Sequence, residues 1–153
     1  HEWTPADKPR DRLGAEMPTY NKFNQFVEDK AKGVHNLAVD QLVVALSNTK
    51  PNRTDSVLAD IVEIDYTNLD SRMLTTTSAA QTDGTFKLMI DDLVLTAADA
   101  VPEFQYVTVY NDAPTSPEDP VISWADYGKK VNMIAGQTFD ITFDQTNGFH
   151  TET

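Results

Sequence analysis

The chain contains no cysteine. That absence excludes disulfides, zinc–thiolate sites, iron–sulfur clusters and cysteine nucleophiles, and it suits a bacterial cytoplasm or an assembly built there. No apolar run approaches the ~18 residues that span a bilayer, and no charged-then-apolar leader opens the chain. The sequence therefore reads as soluble, with no membrane partner and no secretion signal of its own. Histidine is scarce: His1, His35 and His150 lie far apart and form no His-x-x-x-His pair, so they are expected to be surface or capping residues rather than metal ligands. There is no Gly-x-x-x-x-Gly-Lys loop, no Gly-x-Gly-x-x-Gly and no Gly-x-Ser-x-Gly elbow, so neither nucleotide binding nor serine hydrolysis has a motif to rest on. Basic residues are few after residue 82. Residues 83–153 carry twelve acids and three bases, against twelve and nine before them, and the net charge is −12. Such a surface repels phosphate backbones, and no nucleic-acid partner is expected.

What is present reads as a β domain. At 153 residues the chain fits one domain, large enough to bury roughly 70% of its unfolded surface without staples. Residues 1–16 stand apart, with two prolines, a glycine and seven charges against only Trp3 and Leu13 as sizeable apolar groups. They cannot fold alone and are expected to form an extended N-terminal arm. They are either an upstream extension without a role or an arm whose Trp3 anchors on a neighbouring subunit. Residues 17–153 are expected to form the single β-sandwich domain.

Residues 19–36 read as a helix, centred on about 19–34. Thr19 is the candidate cap, Tyr20, Phe23, Val27 and Ala31 form the apolar stripe, and Gly33 is the stop. The period then changes to two. Strands are expected at 41–48, 72–81, 85–95, 104–110, 121–124, 130–134 and 138–143, while 57–64 is either strand or helical turn. Asp83-Gly84 marks a hairpin, and Ala135-Gly136 and Asn147-Gly148 mark further turns. Short strands at roughly ten-residue spacing after one helix argue a mainly β fold, an antiparallel, jelly-roll-like sandwich.

The candidate chemistry is thin. Asp91-Asp92 and the Asp140/Asp144 pair could pair across a sheet for acid–base work, but exposed acids on alternating strand positions read as the solvent face instead. Clustered oxygens leave a loop calcium site open, without EF-hand spacing to support it. No catalytic residue and no cofactor is expected. Among aromatics, Phe104, Tyr106 and Tyr110 share strand parity and suit a core. Trp124 and Tyr127 suit a core, a carbohydrate groove or an interface anchor. Trp3, Trp124 and Tyr127 are the candidate partner contacts.

From Tyr20 to Phe143 the chain resembles a family of small structural proteins encoded among tailed-bacteriophage virion genes. The resemblance is carried by Thr19-Tyr20-Asn21-Lys22-Phe23-Asn24-Gln25-Phe26-Val27, Leu42-Val43-Val44-Ala45-Leu46-Ser47-Asn48-Thr49 and Gly84-Thr85-Phe86-Lys87-Leu88. Val109-Tyr110-Asn111-Asp112, Trp124-Ala125-Asp126-Tyr127-Gly128 and Gly136-Gln137-Thr138-Phe139-Asp140-Ile141-Thr142-Phe143-Asp144 extend it, over about four fifths of the chain. The resemblance implies a non-enzymatic virion protein of the phage head, assembled in the bacterial cytoplasm. It implies a capsid decoration (cement) protein that partners the major capsid protein and copies of itself. A head-fibre or tail component binding a receptor or carbohydrate is the alternative placement. Members of this family start near Met17, so residues 1–16 are extra, and residues 65–72 are less glycine-rich than expected.

Overall fold

The computed structural model describes residues 12–13 and 17–153. The protein is mainly β, with antiparallel sheets and one helix. In chain order the elements are β1 (Arg12–Leu13), β2 (Asn21–Lys22), α1 (Asn24–Ala31), β3 (Leu42–Ser47), a 3₁₀ turn (Leu58–Asp60), β4 (Thr76–Thr82), β5 (Thr85–Ile90), β6 (Leu93–Thr96), β7 (Phe104–Asn111), β8 (Val121–Val131), β9 (Thr138–Ile141) and β10 (His150–Glu152).

Three sheets result, with strand orders β2-β8-β7-β3, β10-β5-β4 and β1-β9-β6. Every pairing is antiparallel except β1 on β9, which is parallel. One core joins all three sheets in a sandwich arrangement. Leu42, Val44 and Leu46 of β3 and Val107 and Val109 of β7 meet Leu88 and Ile90 of β5, Leu95 of β6, and Phe139 and Ile141 of β9. The four-stranded sheet is covered on its other face too, where Phe23, Val43, Ala45, Ile61, Tyr110 and Val121 form a second cluster with Leu58 and Trp124 against it. This double burial explains why β3 reads as a continuous apolar run rather than as an alternation.

The helix is shorter than its periodicity predicts. Residues 21–22 are taken by β8, with Asn21 opposite Trp124 and Lys22 opposite Ser123. Phe23 is extended at the helix N-cap and donates its N–H to the Ile122 carbonyl at 3.0 Å. A competing sheet edge thus overrides helix propensity, and Thr19 caps nothing. The expected stripe also breaks. Phe23 and Phe26 are buried, but Val27 is 54% exposed and Ala31 is open to solvent. Gly33 does end the helix, at φ +77°.

Two other expectations are corrected. Residues 85–95 form two strands, because Asp91-Asp92 interrupts them and Asp92 Oδ1 accepts from the Phe143 N–H at 2.9 Å. Conversely, 121–124 and 130–134 belong in large part to one eleven-residue strand, β8. The Asp83-Gly84 hairpin forms as predicted, with φ of 52° and 84°, both left-handed as a type I′ turn requires.

Candidate groove around Trp124

Two irregularities in the β7–β8 ladder decide where the aromatic side chains point. Tyr110 pairs with Val121, yet Val109 pairs with Ser123, so β8 carries one extra residue at that step. This bulge puts Val121 and Trp124, three residues apart, on the same face. Both join the second cluster. Further on, Phe104 pairs with Val131 and Tyr106 with Asp126, so five steps of β8 answer two of β7, and Gly128 takes φ +76° within them. The same shift separates Phe104, which enters the main core, from Tyr110, which belongs to the second cluster. The shared face expected for Phe104, Tyr106 and Tyr110 is therefore not formed.

Tyr127 turns inwards. Its ring stands edge-on to Phe139 with centroids 4.9 Å apart, and its hydroxyl is buried. Burial raises the pKa of both Tyr127 and Tyr20 well above the usual phenol value, and Tyr127 and the Asp92 carboxylate raise Tyr20 further. Tyr20 stacks on Phe143 at 5.2 Å and donates to the Thr142 carbonyl at 3.1 Å. These phenols therefore bind residues near the two chain ends together.

Trp124 is placed differently. Half-buried, it packs on the second cluster and also lines an open groove of about 930 Å³. The remaining walls are Tyr20, Asn21, Lys22 and Asn24 on one side and Lys50, Pro51, Asn52 and Arg53 on the other. The Lys50 ammonium lies 5.5 Å from the Trp124 ring centroid, within cation–π range. The two walls are tied by the Asn24 N–H, which donates to the Arg53 carbonyl at 3.0 Å. Trp124 Nε1 is buried and makes no hydrogen bond among the described residues.

The groove is basic in an acidic chain. Among the described residues, three of the chain's twelve Lys and Arg line it, and no carboxylate does. Among the described residues, none of Lys22, Lys50 and Arg53 has an ion-pair partner within 4 Å. In a second hollow of about 420 Å³, by contrast, Lys30 is paired with Glu152. Sequence spacing gave no sign of the groove, because its cations are brought together by strand β2 and by a loop some thirty residues later. Of its lining residues, only Trp124 is a candidate partner contact on sequence grounds.

The other predicted groupings disperse. Asp91 and Asp92 are exposed, and Asp92 serves the Phe143 N–H and the Gln145 side chain. Asp144 closes its own turn by accepting from the N–H groups of Thr146 and Asn147, which hold its pKa below the usual carboxylate range. Asp140 is 3% exposed rather than outward-facing, because β9 is buried on both faces from Phe139 to Ile141. His35 and His150 are likewise buried, not surface residues. Among the described residues, no group of three or more His, Asp or Glu side chains could hold a metal ion, and no helix is long and apolar enough to cross a membrane. Trp3 lies outside the described residues.

No protein-family model matches this chain, and no curated protein or solved structure matches it either.

Proposed function

We propose that this chain is a non-enzymatic structural protein of a phage virion, a decoration protein that binds the major capsid shell and copies of itself and stabilises the shell. The observation that carries the reading is the groove around Trp124. A half-buried tryptophan flanked by Arg53, Lys22 and Lys50 has the composition of a protein-interface anchor: an aromatic centre with a charged, wettable rim. Two of the runs that carry the virion resemblance, residues 42–49 and 109–112, lie mostly within the framework strands Leu42–Ser47 and Phe104–Asn111. Of the acids that suggest catalysis, Asp92 and Asp144 accept from backbone N–H groups and Asp140 is buried, which leaves Asp91 alone on the surface without a paired carboxylate role. Cementing then follows from repetition. Each copy adds buried area between shell subunits, and symmetry multiplies a modest contact into resistance against expansion.

The test is attachment. Purified protein added to shells that lack it should co-sediment with them and raise the temperature at which they come apart. Trp124→Ala should weaken attachment by about 2 kcal/mol or more if the indole is an anchor. Shells that neither bind nor gain stability would overturn the reading. So would turnover of a glycan, peptide or phosphoester abolished by Asp→Asn at Asp91, Asp92, Asp140 or Asp144.

A second reading is a receptor- or carbohydrate-binding module of a head fibre or tail. The observation in its favour is that Asn21, Asn24 and Asn52, all amide hydrogen-bonders, line the groove beside Trp124. Saturable glycan binding lost in Trp124→Ala, without shell attachment, would select it.

A further inference from the structure

The groove has a complement on the same molecule. Residues 112–119, which connect β7 to β8, contain Asp112, Glu118 and Asp119 and no base. Asp112 and Glu118 are exposed, and none of the three acids has an ion-pair partner within 4 Å among the described residues. Their charges act on one another. Asp119 has its pKa raised, first by partial burial and then by the Asp112, Glu118 and Glu63 carboxylates. Among the described residues, one part of the surface thus carries positive charge without a close ion pair, although Lys50 acts at longer range on Asp126, and another carries negative charge without one.

Both lie in one layer. The Leu58 N–H donates to the Asp119 carbonyl at 2.8 Å, and the Val121 N–H donates to the Ser56 carbonyl at 3.1 Å. Leu58 in turn packs on the cluster that Trp124 packs on, over the same face of the four-stranded sheet. A two-fold contact needs its complementary patches on one face, so that each copy offers both halves to the other.

We propose that the groove lined by Lys22, Lys50, Arg53 and Trp124 receives the acidic 112–119 loop of a second copy, and that the exchange is reciprocal in a two-fold dimer. The inference names one partner in the reading above and rests on it in taking the groove for a protein interface. Opposite charges meet twice in such a dimer, and Lys50 is held over Trp124 where its ammonium can face an incoming carboxylate. Since the cations and acids are exposed, most of their contribution is to specificity and rate of encounter, and salt weakens it.

Sedimentation velocity on the full chain, without shells, tests this. The wild type should associate at about 50 mM salt and dissociate progressively toward about 500 mM, as the screening length shortens. Lys50→Glu with Arg53→Glu should weaken association about tenfold or more, and Asp112→Lys with Glu118→Lys should do the same. Mixing these two variants should restore a dimer, because the reversed groove of one then meets the reversed loop of the other, and the two unreversed halves also meet, while each variant alone sets mostly like charges against one another. Unchanged thermal melting of the variants establishes that they fold. A wild type that stays monomeric at low salt, a dimer indifferent to both reversals, or a mixture that fails to re-associate would each overturn the proposal. A monomer that still binds shells through Trp124 would overturn this inference alone. A groove-and-loop dimer that never binds shells would overturn the virion reading alone.

Discussion

His150 stands edge-on to Phe26, with ring centroids 5.4 Å apart and planes at 85°, so strand β10 meets helix α1 through an imidazole. His35 approaches the same phenylalanine at 5.1 Å, and its Nδ1 lies 3.0 Å from Asn111 Nδ2, a donor that requires the imidazole nitrogen to be unprotonated. Burial, helped by the charges of Lys30 and Lys22, pulls the pKa of His150 from 6.5 down to about 4. Burial lowers His35 as well, against the opposing pull of Asp29 and Asp40.

A group whose folded pKa lies below its unfolded value binds fewer protons when folded. Its contribution to stability is therefore complete above about 6.5 and lost as pH falls from there toward about 4. Urea unfolding midpoints should decline across that interval, before most carboxylates protonate. His150→Leu should flatten the decline and leave the neutral-pH fold intact. An equally steep profile in the variant would mean that His150 does not carry the effect.

Phe23 and Val27 were expected on one buried stripe, and the structure separates them. Phe23 is 0% exposed beneath the second cluster, so Phe23→Ala should cost about 3–5 kcal/mol. Val27 projects into solvent, and Val27→Ala should stay within about 0.5 kcal/mol. Chemical denaturation of the two variants measures both. A similar loss for each would restore the single-stripe helix.

Gly148 and Gly136 both adopt left-handed backbone, at φ +88° and +85°, but only one is crowded. A Cβ at Gly148 would lie 2.9 Å from the Leu88 carbonyl oxygen, whereas one at Gly136 would meet nothing within 4 Å. Gly136→Ala should cost about 1–2 kcal/mol for the backbone alone. Gly148→Ala should cost visibly more, because the backbone of β5 must shift. Equal losses by thermal melting would show that the turn after Asp144 yields freely.

Arg72 lies over the Tyr66 ring, its guanidinium carbon 3.6 Å from the centroid, while Nη1 donates to the Val44 carbonyl at 2.6 Å. A planar fork can stack and donate together, and a lysine ammonium cannot. Arg72→Lys should therefore cost about 1–2 kcal/mol despite conserving charge, and a neutral result in urea unfolding would assign the stack no net worth.

Much of the fold was legible where local chemistry and tertiary pairing agree. Asp83-Gly84 demanded left-handed backbone and received it, and β3 and β7 lie within a residue of their expected ends. The sequence misled where a partner strand decided the outcome. Asn21 and Lys22 fit a helical period, but the edge of β8 claimed them. Parity failed for Phe104 and Tyr110 because irregularities in the β7–β8 ladder change which face a residue occupies, and no single-strand pattern records its partner's register. The candidate site was least legible of all. Its aromatic was visible, but its charge comes from segments that only the assembled sheet brings together.

The six buried residues of β3 have a consequence for how the chain finds its pairing. Along most strands a one-residue slip carries apolar side chains into water and polar ones into the core, and that penalty polices the alignment. On β3 a slip would exchange one apolar set for another between the two clusters, with little change in polarity. Its alignment must be enforced from its borders. Gln41 Nε2 reaches the Leu42 and Leu74 carbonyls at one end, and at the other the Leu46 N–H donates to the Tyr66 hydroxyl and Ser47 Oγ donates to the Thr49 carbonyl. This doubly buried strand is thus proofread by polar side chains at its ends, and variants there would be expected to show heterogeneous pairing rather than simple loss of stability.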